Sequence, residues 1–201
     1  AINLAPLLHC GMVKKVISTF LGDSYPNPSP NPVMQQAYAQ GEVEFEEWTM
    51  LTLTLRLMAG AMGLPFLPTQ SIVGSSLADN NPNFTAISDP FGQEDEHSVG
   101  LVRALAPDIY LTHAWLADEP GNAVILPPYG SNVYGALGAK VAVILSAERI
   151  VSTEELMQYR EHVRIPGSYV SAVVEAPLGS HPSGHPAFPL QQDGGYIEDR
   201  A

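Results

Sequence analysis

Apolar and polar positions follow two different periods along this chain. Residues 11–20 close on Val16-Ile17-Ser18-Thr19-Phe20, a β-branched apolar run that predicts a buried strand. Prolines at alternate positions (Pro26, Pro28, Pro30, Pro32) then predict an extended connector, because proline lacks the N–H and restricts the residue before it. Residues 33–40 predict a short helix stopped by Gly41. Residues 42–63 satisfy both periods. Leu51, Leu53, Leu55 and Leu57 alternate with Thr52, Thr54 and Arg56, whereas Leu51, Leu55, Met58 and Met62 share one helical face. Length favours the helix. Glu44, Glu46 and Glu47 then fall at its N-terminus, where the dipole favours carboxylates, and Gly63 with Pro65 supplies the stop.

Residues 64–83, rich in Pro, Ser, Asn and Gly, predict a loop. Asp108-Ile109-Tyr110-Leu111-Thr112-His113-Ala114-Trp115 predicts a strand that ends in the turn around Asp118, Gly121 and Asn122. Residues 131–140 predict a short helix feeding the apolar strand 141–145. Ser152 and Glu155 match a capping box opening the next helix. Strand and helix in alternation, with near-continuous apolar strands, predict an α/β fold with an open parallel sheet covered by helices on both faces.

Composition narrows the function. At 201 residues the chain buries roughly 70% of its unfolded surface and needs no disulfide or structural metal. Nine Lys and Arg against 21 Asp and Glu give a net charge of −12, which repels phosphate backbones and acidic membranes. No apolar run approaches the ~20 residues of a membrane span. The single Cys10 excludes a disulfide framework and suits a reducing, cytoplasmic compartment; it is expected to be buried, as free cysteines usually are.

The residues with chemistry have plain structural readings too. Glu42, Glu44, Glu46 and Glu47 form the densest carboxylate cluster, read first as a solvated helix start. Glu148 and Glu175 follow apolar strands, where parallel sheets place their sites, yet Glu148 is equally suited to pair with Arg149 or cap Ser152. His113 lies in an apolar strand and reads as a core histidine. His181 and His185 lack the helix, carboxylate or cysteine that would complete a metal set, so no metal site is predicted. Gly74-Ser75-Ser76 combines close backbone approach with two hydroxyls and reads either as a surface turn or as an anion-holding loop.

Several stretches, in order, carry a resemblance. They are Gly11-Met12-Val13-Lys14-Lys15-Val16 with Gly41-Glu42-Val43-Glu44, and Arg56-Leu57-Met58-Ala59-Gly60-Ala61-Met62-Gly63-Leu64-Pro65-Phe66-Leu67-Pro68-Thr69. Ala117-Asp118-Glu119-Pro120-Gly121-Asn122 and Ser146-Ala147-Glu148-Arg149-Ile150-Val151 follow. Ile165-Pro166-Gly167 and Val173-Val174-Glu175-Ala176-Pro177-Leu178-Gly179-Ser180-His181-Pro182 complete them. Together they resemble the A-type (alpha) subunit of family I CoA-transferases, in the glutaconate CoA-transferase branch.

That resemblance implies a CoA-transferase-type fold of one domain over residues 1–201, lacking its N-terminal strand–helix units. It implies thioester exchange: a carboxylate attacks a thioester and carries CoA as a glutamyl thioester to a second acid. The nucleophilic Glu is expected on a B-type (beta) partner subunit, in a heterodimer doubled by two-fold symmetry. No catalytic residue is then expected in this chain, with Glu46 and Glu47 as runners-up. Phe66, Gln70, Gly74, Ser75 and Ser76 are the expected substrate contacts, and coenzyme A enters as substrate rather than as a resident cofactor. Gln70 stands where some relatives carry a basic residue, which argues against a dicarboxylate held by a charge pair. Steroid-ring-opening CoA hydrolases and a CoA-ester decarboxylase are similar, so hydrolysis and decarboxylation stay as alternatives. So does a non-catalytic sugar-phosphate-binding module, although the chain has no basic helix for a regulator.

Overall fold

The computed structural model describes residues 3–23, 29–92, 98–186 and 195–197. Pro26 and Pro28 of the expected connector lie outside these residues. The chain folds as two compact units, each assembled from separated segments: residues 1–55 with 67–103, and residues 56–66 with 104–201.

The first unit starts with α1 (Ala5–His9) and β1 (Lys15–Ser18). A two-residue ribbon pairs β2 (Gly22–Asp23) antiparallel with β3 (Ser29–Pro30). Helix α2 (Pro32–Gln40) follows, its N-cap Asn31 accepting from the N–H groups of Val33 and Met34 and its C-cap Gly41 at φ +67°. The chain returns in β4 (Glu44–Glu47), parallel to β1 with Lys15 beside Glu44 and Ile17 beside Glu46. Leu8, Val16 and Met34 form the core of this β–α–β unit, with Val13, Val43 and Phe45 packed on it.

Here the structure corrects the sequence reading. Glu44, Glu46 and Glu47 lie on a strand, not at a helix N-terminus; helix α3 (Met50–Ala61) begins only after Trp48. Val43 and Phe45 alternate with Glu44 and Glu46, so a period of two held through residue 47. Thr49 and Thr52 then cap the helix reciprocally, each backbone N–H donating to the other's hydroxyl at 3.0 and 3.1 Å.

Residues 64–83 are also less loop-like than expected. They hold β5 (Phe66–Thr69) and the short α4 (Ser76–Asp79). Beyond them, β6 (Phe84–Ser88) and β7 (Ser98–Arg103) pair antiparallel, giving a three-stranded order β5-β7-β6.

The second unit is built on β8 (Ile109–Asp118), β9 (Ala123–Val124), α5 (Ser131–Leu137), β10 (Ala142–Val151), α6 (Thr153–Leu156), β11 (Val163–Ile165) and β12 (Ala172–Glu175). The five strands run in the order β11-β9-β8-β10-β12. β8, β10 and β12 are parallel, as expected, while β9 and β11 form an antiparallel edge. The reversal after Asp118 is too short for a crossover, so β9 has to run back along β8. Val143, Leu145, Ala147 and Ala114 pack one face into a core with Ala136 and Ile165. The opposite face carries Ile109, Leu111, Ile144 and Val174, which are 55%, 70%, 40% and 52% exposed.

Candidate functional site

Parallel pairing of β1 with β4 sets Lys15 against two carboxylates. Its ammonium lies 2.6 Å from Glu44 Oε1 and 2.7 Å from Glu46 Oε2. The bond to Glu44 and then that to Glu46 raise the Lys15 pKa above the ordinary lysine value. Glu46 is only 6% exposed. Trp48 Nε1 donates to its Oε1 at 2.7 Å, and Asn83 Nδ2 donates to its Oε2 at 3.0 Å. A carboxylate can be buried only with such donors, and Glu46 has a cation and two neutral ones. Glu47, its runner-up neighbour, points the other way on the strand and is exposed.

Gly74-Ser75-Ser76 leads into α4. Gly74 has φ +72°, which favours glycine, and Ile72 shares the left-handed region at φ +65° without that freedom. A β-branched residue held there is strained by about 1–2 kcal/mol. Ser75 stands at the N-cap of α4, but its hydroxyl donates back to the Ile72 carbonyl at 2.6 Å instead of capping. Ser76 and Gln70 are exposed, and Phe66 is 46% exposed on β5.

Two sequence-predicted groups meet in one cleft of about 530 Å³. It is lined by Glu44, Glu46 and Glu47 of β4, Tyr38 of α2, Ser76 and Leu77 of α4, and Asn80 and Asn81 behind them. Ser76 and the carboxylate strand therefore face one space, whereas Phe66, Gln70, Gly74 and Ser75 are not among its described lining residues. A second, more apolar cavity shares Tyr38 and Glu47 with it.

The other unit holds a polar cluster of its own. Ser146 and His113 are register partners on β10 and β8, with Ser146 Oγ 2.8 Å from His113 Nδ1. His113 Nε2 lies 2.7 Å from Glu148 Oε1 and donates to that carboxylate. Tyr196 donates to Glu148 Oε1 at 2.6 Å, and the Leu178 N–H donates to Oε2 at 2.8 Å. Desolvation pushes the Glu148 pKa up, but the bonds from Tyr196, Leu178 and His113 outweigh it and hold the carboxyl below its usual value. The Tyr196 ring stacks between His181 and His185 at 4.7 and 5.8 Å. Burial first, and the nearby His113 second, lower the His185 pKa.

Three expectations change here, and a fourth holds. Glu148 joins His113 and Tyr196, while Arg149 pairs with Glu155 at 3.1 Å. His113 is half-buried and polar-bonded rather than an apolar core residue. Cys10 is exposed. Ser152 caps α6, its hydroxyl accepting from the Glu155 N–H as the capping box predicts, but that helix is one turn long. The turn around Asp118 is structural, as its residue types suggest. Asp118 is fully buried, accepts from the Asn122 backbone and side chain at 2.7 and 2.8 Å, and takes a third bond from Thr153 at 3.0 Å.

Sequence reasoning missed the roles of Lys15, Asn83 and Tyr196. Only Lys15 carried a signal, being one of two lysines that lead into an apolar strand. Among the described residues no group of three or more His, Cys, Asp or Glu is arranged to hold a metal.

Comparisons with known proteins place the chain in a family. A family model described as Coenzyme A transferase matches residues 1–176. The A-type subunit of 3-oxoadipate CoA-transferase from Pseudomonas knackmussii is 36% identical over 141 residues, covering 70% of this chain and 48% of that one. The cholesterol ring-cleaving hydrolase IpdA subunit of Mycobacterium tuberculosis is 33% identical over 190 residues, covering 89% and 63%. The crystal structure of glutaconate coenzyme A-transferase from Acidaminococcus fermentans superposes with a TM-score of 0.80 at 28% identity, covering 90% of this chain and 61% of that one. The chain spans between 40% and 65% of the length of the curated relatives it matches.

Proposed function

Because this chain belongs to the coenzyme A transferase family, we propose that it supplies the A-type part of a heteromeric enzyme that moves CoA from an acyl-CoA thioester to a second carboxylic acid. The observation that carries this reading is the similarity of most of the chain to the A-type half of a CoA-transferase. The acyl carbonyl is attacked by a glutamate of a B-type (beta) partner, and the CoA thiolate is expelled. The thiolate then attacks the resulting anhydride at the glutamyl carbon, releasing the first acid and leaving CoA on the enzyme. The second acid reverses both steps.

In this scheme the chain binds and orients. Backbone N–H groups of Gly74 and Ser76 and the Ser76 hydroxyl steady the thioester oxygen as charge develops on it, Ser75 holds the loop through its two bonds to the Ile72 carbonyl, and Phe66 and Gln70 add acyl contacts. Strain at Ile72 supports a functional role for the loop. Both oxygens of Glu46 already accept hydrogen bonds, which supports a nucleophile on the partner. The bare apolar face around Leu111 and Ile144 suits a chain that lives in a complex. We read the 201 residues as one A-type domain acting in the cytoplasm, with CoA as substrate and no resident cofactor or metal. Among the described residues no helix is long and apolar enough to cross a membrane.

The test is reconstitution with the B-type partner. The chain alone should be inactive, and the complex should place CoA on the added acid. Robust turnover by the purified chain, unchanged by any partner, would refute the reading and move the nucleophile to Glu46 or Glu47. A second reading, hydrolysis, is favoured by the similarity to the ring-cleaving hydrolase; free CoA in place of a new ester would select it. Released carbon dioxide would select decarboxylation.

A further inference from the structure

The second cavity of the first unit has no role in the scheme above. It measures about 470 Å³, within the usual range for small-molecule sites. Phe20, Leu21, Pro30, Met34 and Tyr38 give it apolar walls, between the β2–β3 ribbon and α2. Its polar liners are few. Ser29 and Gln35 are neutral, and Glu47 is the one charged residue among the described liners. Gly22 keeps the wall thin: a Cβ there would lie 2.6 Å from the Ser29 carbonyl oxygen and 2.9 Å from the Phe20 ring. Tyr38 and Glu47 line this cavity and also the polar cleft that Ser76 faces. An apolar recess thus adjoins the cleft that Ser76 faces.

We infer that this cavity receives the acyl tail of the thioester, and that the tail is uncharged and aliphatic. The inference rests on the acyl-CoA reading and adds the substrate class. Apolar walls reward each methylene removed from water. A distal carboxylate on the tail would lose its hydration, meet no cation among the described liners, and approach Glu47 with like charge. Gln70 is likewise neutral. Glu47 sits at the junction as a specificity gate against dicarboxylic acyl groups.

The experiment compares hexanoyl-CoA with adipoyl-CoA, which share chain length and differ by the terminal carboxylate. Turnover is measured in the reconstituted complex, and calorimetry follows hexanoyl-pantetheine binding to the full chain. The expected result is at least a tenfold preference for hexanoyl-CoA, with binding tightening about fourfold per methylene along the butanoyl to hexanoyl series. Gln35→Trp, on the exposed side of α2, fills the chamber and should abolish that length dependence while the shorter ester still reacts. Glu47→Lys should shift the preference toward adipoyl-CoA. Equal use of both esters, with neither variant altering the ratio, overturns the cavity assignment and leaves the acyl-CoA reading intact. No turnover of any CoA ester by the complex overturns the acyl-CoA reading, and calorimetry then decides the cavity: no heat with hexanoyl-pantetheine refutes it.

Discussion

Replacing Glu46 separates a catalytic carboxylate from a structural one. Its oxygens accept from Lys15 at 2.7 Å, Trp48 at 2.7 Å and Asn83 at 3.0 Å, in a site where Glu46 itself is 6% exposed. In Glu46→Ala the Trp48 and Asn83 donors lose this acceptor, at about 1–3 kcal/mol each when buried. Lys15 is about one third exposed and keeps Glu44, so its share is small, below about 1 kcal/mol. The sum is a loss of about 2–7 kcal/mol, and its midpoint near 4 kcal/mol corresponds to roughly 8–16 °C in Tm for a chain of this length. Glu46→Gln keeps one acceptor oxygen for Trp48 and should lose about half as much. Urea unfolding of the full chain reads the stability, and turnover of the reconstituted complex reads the chemistry. The expected pattern is a stability loss in both variants with turnover kept in Glu46→Gln. A Glu46→Gln variant of unchanged stability and abolished turnover would refute the argument and make Glu46 the nucleophile.

Ser75→Ala removes the bond to the Ile72 carbonyl and should lower kcat of the complex while the affinity between its subunits, read by analytical ultracentrifugation, stays within about twofold. Leu178 is 54% exposed at φ +62°, so Leu178→Asn relieves backbone strain with little lost packing and should stabilise by about 1 kcal/mol in urea unfolding. Glu148 is held below its ordinary pKa, so its contribution is complete above pH about 4.5 and is lost as pH falls through the lower folded value. His185 is also lowered, so the unfolded chain takes up its proton first and stability already declines as pH drops below about 6.5. Stability profiles against pH should therefore flatten in the acid range for Glu148→Gln and just below about 6.5 for His185→Phe; unchanged profiles would contradict the cluster's role.

Much of the α/β order was legible because near-continuous apolar strands and Gly or Ser boundary signals agree locally, as at Gly41 and Ser152. The failure at Glu44-Phe45-Glu46-Glu47 has a physical cause. Charged residues are depleted from strands, and this one is held by pairing with β1 and by partners that include the distant Lys15 and Asn83, a tertiary fact that local propensity does not contain. Ser76 was legible as a candidate, but its meeting with β4 across one cleft was not. The β6–β7 hairpin was missed because Thr85, Ala86 and Ser88 blur the apolar alternation. Glu148 was noticed for its strand end, yet its partner Tyr196 comes from a segment with no periodic signal.

The interleaving of the two units sets an order on the chain's birth. The second half of α3 belongs to the later unit, and Arg56 and Pro65 accept backbone hydrogen bonds from Leu105 and Ala104. Leu57 and Ala59, buried in the finished molecule, leave the ribosome with α3 before residues 104–201 of the same unit are made. At about 5–20 residues/s the Leu105 N–H follows Arg56 after roughly 2–10 s, and most of the β8–β10 sheet comes later still. During that interval an apolar helix end is offered to chaperones and to neighbouring nascent chains. Slowing synthesis just after residue 66 would lengthen the exposure, whereas the earlier β1–α2–β4 unit would already be closed.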